Sequence, residues 1–505
     1  MAGERLNGLD VAFLSIDTPS APMNIGVLAV FRPPEMVDGS QLRRLLVSRA
    51  ARIPGLRRRA RSTWLPPGAV EWVEDRAFDP DAHIRLTGLT RPGTRAQLSD
   101  QVARAVAAPL DRDRPLWELR VFTGLADGAF ACLLKVHHAF ADGVGMFLLT
   151  SAMFDGLAPA DPPAPVKEAK STARDQLLAA VRSAAQPARW VEHAAGLTGG
   201  ALTRGSRAAR RTAQGLGITA SVLRAARWFH ASSPLVGERS SAAPRRQLTT
   251  VQLDVKQLKR VREQYGATVN DVLLAVFAGA LREWSLARGE RVGKLAPQVL
   301  IPVTLPGRNG SSSGTNEISG YLCALPVTEA DPVRRLRAVQ AVMNRNKAGG
   351  PYGGPGALPL LARMMPAQAH RLTGPLLAHQ ARLLFDIVVT NVPMPKMPLS
   401  LSGAPLAEIY PLVPLANGHG LGIAVSTHQE GIGVGLHSDP AIIPDIATLA
   451  HAIPEALAAL DARPMVPAQR TKSSTRQRAG TGNGQVKDSR PGAARSRPSG
   501  QNRPQ

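Results

Sequence analysis

Short apolar runs alternate with stretches of helical spacing along most of the chain. Ile25 to Phe31 is continuously apolar apart from Gly26 and is stopped by Pro33-Pro34, which predicts a buried strand. Ser40 to Ala51 sets Leu42, Leu45 and Leu46 at helical spacing, with Ser40 as the expected N-cap. Phe130 to Val136 predicts a second buried strand, and Val144 to Phe154 an apolar helix. A strand, a tight polar turn and a helix therefore follow one another around residues 137–143. Further on, Thr250 to Val255 alternates like a strand. Thr268-Val-Asn-Asp271 opens a helix with apolar residues at 272, 273, 276, 277, 280, 281 and 284. Gln298 to Val303, Leu322 to Val327, Ile387 to Thr390, Leu421 to Thr427 and Gly431 to Leu436 predict strands, and Ile442 to Leu460 a closing helix. The fold class expected from this succession is α/β with mixed sheets, in two comparable halves.

Between the halves the pattern lapses. Pro159 to Pro165 breaks it, and the segment that follows is rich in Ala, Arg, Gly and Ser. The expected organisation is a first half over 1–165, a basic connector over 166–247, a second half over 248–465 and a tail over 466–505. Charge follows the same division. The chain carries 61 Lys+Arg against 38 Asp+Glu, a net +23, of which the connector holds +10 and the tail +8. The two halves are thus only mildly basic. Weak helical spacing in the connector, with Trp228 and Phe229 beside Arg224 and Arg227, suits either a solvated link or an amphipathic element on an anionic membrane. The tail lacks aromatic residues, is expected to be disordered, and offers nothing to stack on bases, so specific nucleic-acid binding is not expected.

Two cysteines, Cys132 and Cys323, do not make a disulfide framework and fit a reducing compartment. The first ten residues contain acids and no apolar core, so no secretory signal is expected. No apolar stretch approaches the length of a membrane span. The expected location is cytoplasmic, with a peripheral place on the inner face of the cell membrane or on lipid inclusions left open.

The polar turn reads His137-His138-Ala-Phe-Ala-Asp142-Gly143. A neutral imidazole accepts a proton near neutral pH, and a turn on a rigid scaffold is where such a base meets a substrate. Adjacent residues leaving a strand point apart, so one histidine can face a pocket while the other packs. The plain alternative is a structural pair. A metal site lacks further ligands at suitable spacing, so no metal is expected. A serine hydrolase lacks a Gly-x-Ser-x-Gly elbow, and Gly349-Gly350 and Gly353-Gly354 lack the Lys-Ser/Thr of a phosphate loop.

The turn resembles the HHxxxDG motif of the CoA-dependent acyltransferase superfamily. Companion blocks narrow the resemblance to the bacterial wax ester synthase/diacylglycerol acyltransferase family. They are Leu9 to Leu14 with Pro22-Met23-Asn24-Ile25-Gly26, Trp72 to Arg85, Arg114-Pro115-Leu116-Trp117-Glu118, Thr268-Val-Asn270-Asp271, Thr390-Asn391-Val392-Pro393-Met394-Pro395 and Tyr410 to Pro414. They run in order from residue 9 to about 460. Met394 stands where the family usually has glycine.

The resemblance implies two chloramphenicol-acetyltransferase-like domains with an active-site tunnel between them. It implies transfer of a long-chain acyl group from acyl-CoA, a substrate and no cofactor, to diacylglycerol or a fatty alcohol. His138 is then the general base, His137 its support, Asp142 a structural residue of the turn, and Gly143 a point of close chain approach. Trp117, Asn270, Asp271 and Asn391 become candidates for the tunnel or the acceptor side. Thr268 and Asp271 read equally well as a helix-capping box, and Trp117 as core. A related acyltransferase with another thioester donor or lipid alcohol, and a non-catalytic lipid- or polyanion-binding protein, stay open at this point.

Overall fold

Two six-stranded sheets take up the apolar runs of the chain. The computed structural model describes residues 4–63, 69–155, 234–237, 245–304, 318–349, 370, 384–392, 394 and 398–462. The expectations for the tail 466–505, and for nearly all of the connector 166–247, fall outside the described residues. The first half contains β1 (Glu4–Arg5), α1 (Gly8–Ile16), β2 (Asn24–Phe31), α2 (Gly39–Arg52), β3 (Arg58–Ser62), β4 (Val70–Glu74), β5 (Ile84–Gly88), α3 (Arg95–Ala107), β6 (Trp117–Thr123), β7 (Phe130–His137) and α4 (Gly143–Met153). The second contains β8 (Gln247–Asp254), α5 (Val255–Tyr265), α6 (Val269–Ala287), β9 (Gln298–Thr304), β10 (Ile318–Ala324), α7 (Pro332–Gly349), β11 (Ile387–Asn391), β12 (Ser400–Leu401), β13 (Ala404–Leu412), β14 (Leu421–His428), β15 (Gly431–Ser438) and α8 (Ile446–Asp461).

The first sheet has the order β12-β13-β2-β7-β6-β5 and the second β10-β9-β11-β14-β15-β8, while β1, β4 and β3 form a small sheet of their own. The division of the chain expected at 165 and 248 is therefore not the division of the sheets. β13 comes from the second half, yet it pairs antiparallel with β2, Ile409 opposite Ala29 and Leu412 opposite Gly26. It also lies against β14 and β15. Alternate glycines of β15 make room for it. A Cβ at Gly433 would overlap the Ile409 carbonyl oxygen, and one at Gly435 that of Pro411. The two sheets thus meet backbone to backbone along this line.

Each sheet has its own core, and that of the first sheet includes Leu399, Leu401, Leu406 and Ile409 of the second half. β2 and β7 are buried along their whole length on both faces. That is why their sequences read as continuous apolar runs and not as alternation. In the second half α6 is apolar all round, buried from Val272 to Leu281 among α5, α7 and α8. Its start is fixed by a capping box between Thr268 and Asp271.

Several boundaries differ from expectation, among them the closing helix, which begins at Ile446 and not at Ile442, and Val255, which opens α5 and does not end β8. Asp38, not Ser40, is the N-cap of α2 and accepts from Ser40 N–H at 2.8 Å, a charged acceptor at the positive end of the helix. The strand expected over Leu322 to Val327 runs from Ile318 to Ala324 instead, ending before Pro326, which has no N–H to give. Among the described residues no helix is long and apolar enough to cross a membrane.

Candidate active site

Alternation along β7 sorts its side chains. Phe130, Cys132, Leu134 and Val136 join one apolar cluster, and Ala131 and Leu133 another. Lys135 and His137 continue the second face. Lys135 is 1% exposed, donates Nζ to the carbonyls of Ala105 (2.9 Å) and Ala108 (3.2 Å), and pairs with Glu118 at 3.0 Å. Asn24, opposite His137 in the register, donates to the carbonyls of Val106 and Ala108. A cation and an amide thus satisfy the last carbonyls of α3, where the helix dipole is negative. The polar end of β7 is pinned before the chain turns.

The turn then separates the two histidines. His137 is buried, its N–H donates to Leu116 O (3.0 Å), and its carbonyl accepts from Phe140 N–H (2.8 Å). The N–H of Ala139 donates to its Nδ1 at 3.1 Å. That nitrogen carries no proton, so the ring proton sits on Nε2, which lies 3.7 Å from Asp17 Oδ1. His138 leaves the strand, donates its N–H to Met23 O (2.8 Å), and stacks its ring on Phe13 at 4.1 Å between centroids. Burial pushes the His138 imidazole down to about 4, helped by the neighbouring His137. A ring hydrogen bond to its own backbone and the charge of Asp142 pull the other way without prevailing. Part of the residue stays exposed.

Asp142 is the N-cap of α4 and accepts from Gly145 N–H at 2.8 Å. It fixes where the helix begins, directly after the turn. Gly143 differs from expectation. A Cβ there would meet Val392 no nearer than 3.9 Å, ordinary van der Waals contact, so close approach does not demand glycine. Gly145 is the tighter position, 3.0 Å from the Ala141 Cβ.

The second half reaches the turn through the end of β11. Val392 lies over Gly143, its N–H donates to Val425 O, and its carbonyl accepts from Ser426 Oγ at 3.0 Å. Met394, at the position where glycine was expected, packs its side chain against the core of the first half. Asn391 Nδ2 donates to Asn270 Oδ1 at 3.3 Å, so these two candidates do come together. Asp271 is buried as the capping residue of α6. Trp117 is a core residue. It is 1% exposed, donates Nε1 to Leu56 O (2.9 Å), and stacks on His83, which hydrogen-bonds the Trp117 carbonyl. It lines no tunnel.

Sequence reading missed Asp17, Phe13 and Arg112. Asp17 accepts from Met23 N–H (2.7 Å) and from Arg112 Nη2 (2.7 Å). Burial alone would raise its carboxyl; the His137 and Arg112 contacts outweigh that and hold it below the usual carboxylate range. One signal was available. Phe13 and Asp17 stand one helical turn apart at the end of α1, so they share a face.

A family model described as the wax ester synthase/diacylglycerol acyltransferase catalytic domain matches residues 6–273, and its C-terminal companion matches residues 314–461. A Mycobacterium tuberculosis protein whose name assigns it provisionally as a diacylglycerol O-acyltransferase is 30% identical over 482 residues, 90% of this chain and 90% of that one. The solved wax ester synthase/diacylglycerol acyltransferase of Marinobacter aquaeolei shares the fold with a TM-score of 0.64 at 22% identity, covering 91% of this chain and 98% of that one. A trichothecene 15-O-acetyltransferase of Fusarium sporotrichioides shares it with a TM-score of 0.55 at 11% identity, covering 90% and 94%.

Proposed function

Since the chain belongs to the wax ester synthase/diacylglycerol acyltransferase family of acyltransferases, we propose that it moves a long-chain acyl group from acyl-CoA to diacylglycerol or a fatty alcohol, with His138 as the general base. The observation that carries this reading is the state of His138. Its imidazole is neutral at physiological pH, clamped flat by Phe13, partly open, and set where the Val392 segment of the second half meets the turn. The acyl donor and the acceptor reach it along the seam between the halves.

The acceptor hydroxyl donates its proton to the imidazole as its oxygen attacks the thioester carbonyl carbon. The tetrahedral intermediate collapses, the carbon–sulfur bond breaks, and the departing thiolate takes the proton back from the imidazolium. No group on the protein is acylated. A base whose conjugate acid lies near 4 cannot strip a free alcohol, so proton transfer keeps pace with carbon–oxygen bond formation. The same acidity makes the imidazolium a ready donor to the thiolate.

His138→Ala should lower turnover of acyl-CoA with either acceptor by about 10²–10⁴-fold and leave the circular dichroism unchanged. Full activity in that variant removes His138 from the mechanism. A panel of diacylglycerol and fatty alcohols with one radiolabelled acyl-CoA decides the acceptor. The net +10 of residues 166–247 supports docking on an anionic lipid surface, since each basic residue near such a surface contributes about 1 kcal/mol. Equal flotation with neutral and anionic vesicles would remove that part.

A further inference from the structure

We propose that Asp17 is a positioning residue for acyl transfer, fixing the proton of His137 on Nε2 and so locking the turn that presents His138. The proposal rests on the reading of His138 as base. Three observations converge on it. First, the Ala139 N–H is inside the turn and takes its acceptor from His137 Nδ1 at 3.1 Å. The opposite tautomer would set two N–H groups head to head there and undo the turn at the residue after His138. Second, Nε2 faces Asp17 Oδ1 at 3.7 Å, with 2% of the His137 side chain and 13% of the Asp17 side chain exposed. That separation is longer than a hydrogen bond, so the hold is electrostatic, between an N–H dipole and a carboxylate little screened by water.

Third, Asp17 is itself held on every side. Met23 N–H donates to Oδ1, and Arg112 donates to Oδ2 as well as to the carbonyls of Leu14 (2.8 Å) and Asp17 (3.3 Å). Arg112 therefore fastens the end of α1 and aims the carboxylate together. Met23 returns the contact, because its carbonyl accepts the His138 N–H. The stretch from Phe13 to Met23 thus holds the base by its ring face, by its backbone and through its neighbour's proton.

The test compares Asp17→Asn and Asp17→Glu in the full chain, with acyl-CoA and diacylglycerol or fatty alcohol as substrates. Asparagine keeps an acceptor for Met23 N–H and loses the charge facing His137. The expected result is a kcat lower by about 10–100-fold with KM for both substrates within about threefold, and partial recovery in Asp17→Glu. Ring ¹⁵N spectra of histidine-labelled protein, assigned with His137→Gln, should show Nδ1 of His137 without a proton in the wild type and a tautomer mixture in Asp17→Asn. A wild-type kcat in Asp17→Asn, an unchanged His137 spectrum in that variant, or equal losses in Asn and Glu would each overturn the proposal. The wild-type spectrum also decides independently of the folding of any variant, since a proton on Nδ1 there overturns it. His138→Ala keeps the two readings apart: full turnover removes the base, whereas the His137 tautomer stands or falls on the spectra.

Discussion

Replacing His138 by glutamine removes a group that resists its proton only in the folded chain. The imidazole titrates at 6.5 when unperturbed and at about 4 in the fold. Between those values the unfolded state binds the extra proton, so stability falls as pH falls through that window and is full above it. Near pH 5 the unfolded ring is almost wholly protonated and the folded ring only about one-tenth. Relative to pH 7.5 the wild-type chain then loses about 2 kcal/mol from this group, a ceiling because part of the residue is open to water. His419 is shifted the same way by burial, but both chains keep it, so its share cancels. Urea unfolding followed by circular dichroism at the two pH values measures the difference. His138→Gln should lose less stability than the wild type on acidification, by up to that amount. Equal losses in the two chains would refute the desolvated ring. The same shift puts the acid limb of kcat/KM near 4, and a limb near 6.5 would count equally against it.

Other outcomes follow from the contacts. Arg246 and Asp439 pair at 3.1 Å with their side chains 2% and 6% exposed, and Arg246 also reaches Ser20 O; Arg246→Met should cost about 3 kcal/mol by leaving the carboxylate buried, seen as a drop in Tm. A Tm within about 1 °C of wild type would show that the pair is solvated. Asp142→Ala should cost about 1 kcal/mol by uncapping α4, whereas Asp142→Asn keeps the acceptor and should unfold at nearly the wild-type urea concentration. Gly143→Ala has space and should leave stability within about 1 kcal/mol, while Gly433→Ala, whose Cβ would strike the Ile409 carbonyl, should yield little folded protein; equal expression of the two would refute the close strand approach.

What the sequence exposed and what it hid divide along physical lines. Local signals carried β2, β7 and α6, because long apolar runs and a Thr268–Asp271 capping box need no knowledge of partners. The turn and its two histidines were legible for the same reason. β13 was hidden because Pro405 and Pro411 argue against a strand, and because the strand it pairs with, β2, lies far back in the chain. Trp117 was ambiguous in sequence, since an aromatic after Pro115-Leu116 suits a tunnel wall and a core equally, and only its bond to Leu56 O decides. Asp17 was missed because, beyond its spacing from Phe13, its meaning lies in Arg112 and His137, both far along the chain.

The pairing of residues 24–31 with 404–412 also sets a schedule for the newborn chain. At ribosomal rates of roughly 5–20 residues per second, about 15–55 s pass between the emergence of β7 and that of β13. For that interval the Ile25–Phe31 edge has no charge and no proline to keep foreign strands away. A nascent first half needs shelter until its last strands arrive, and a fragment ending near residue 165 never receives them. Cutting the gene between the halves should therefore give an aggregating N-terminal piece, recoverable only when residues 400–412 are supplied alongside it.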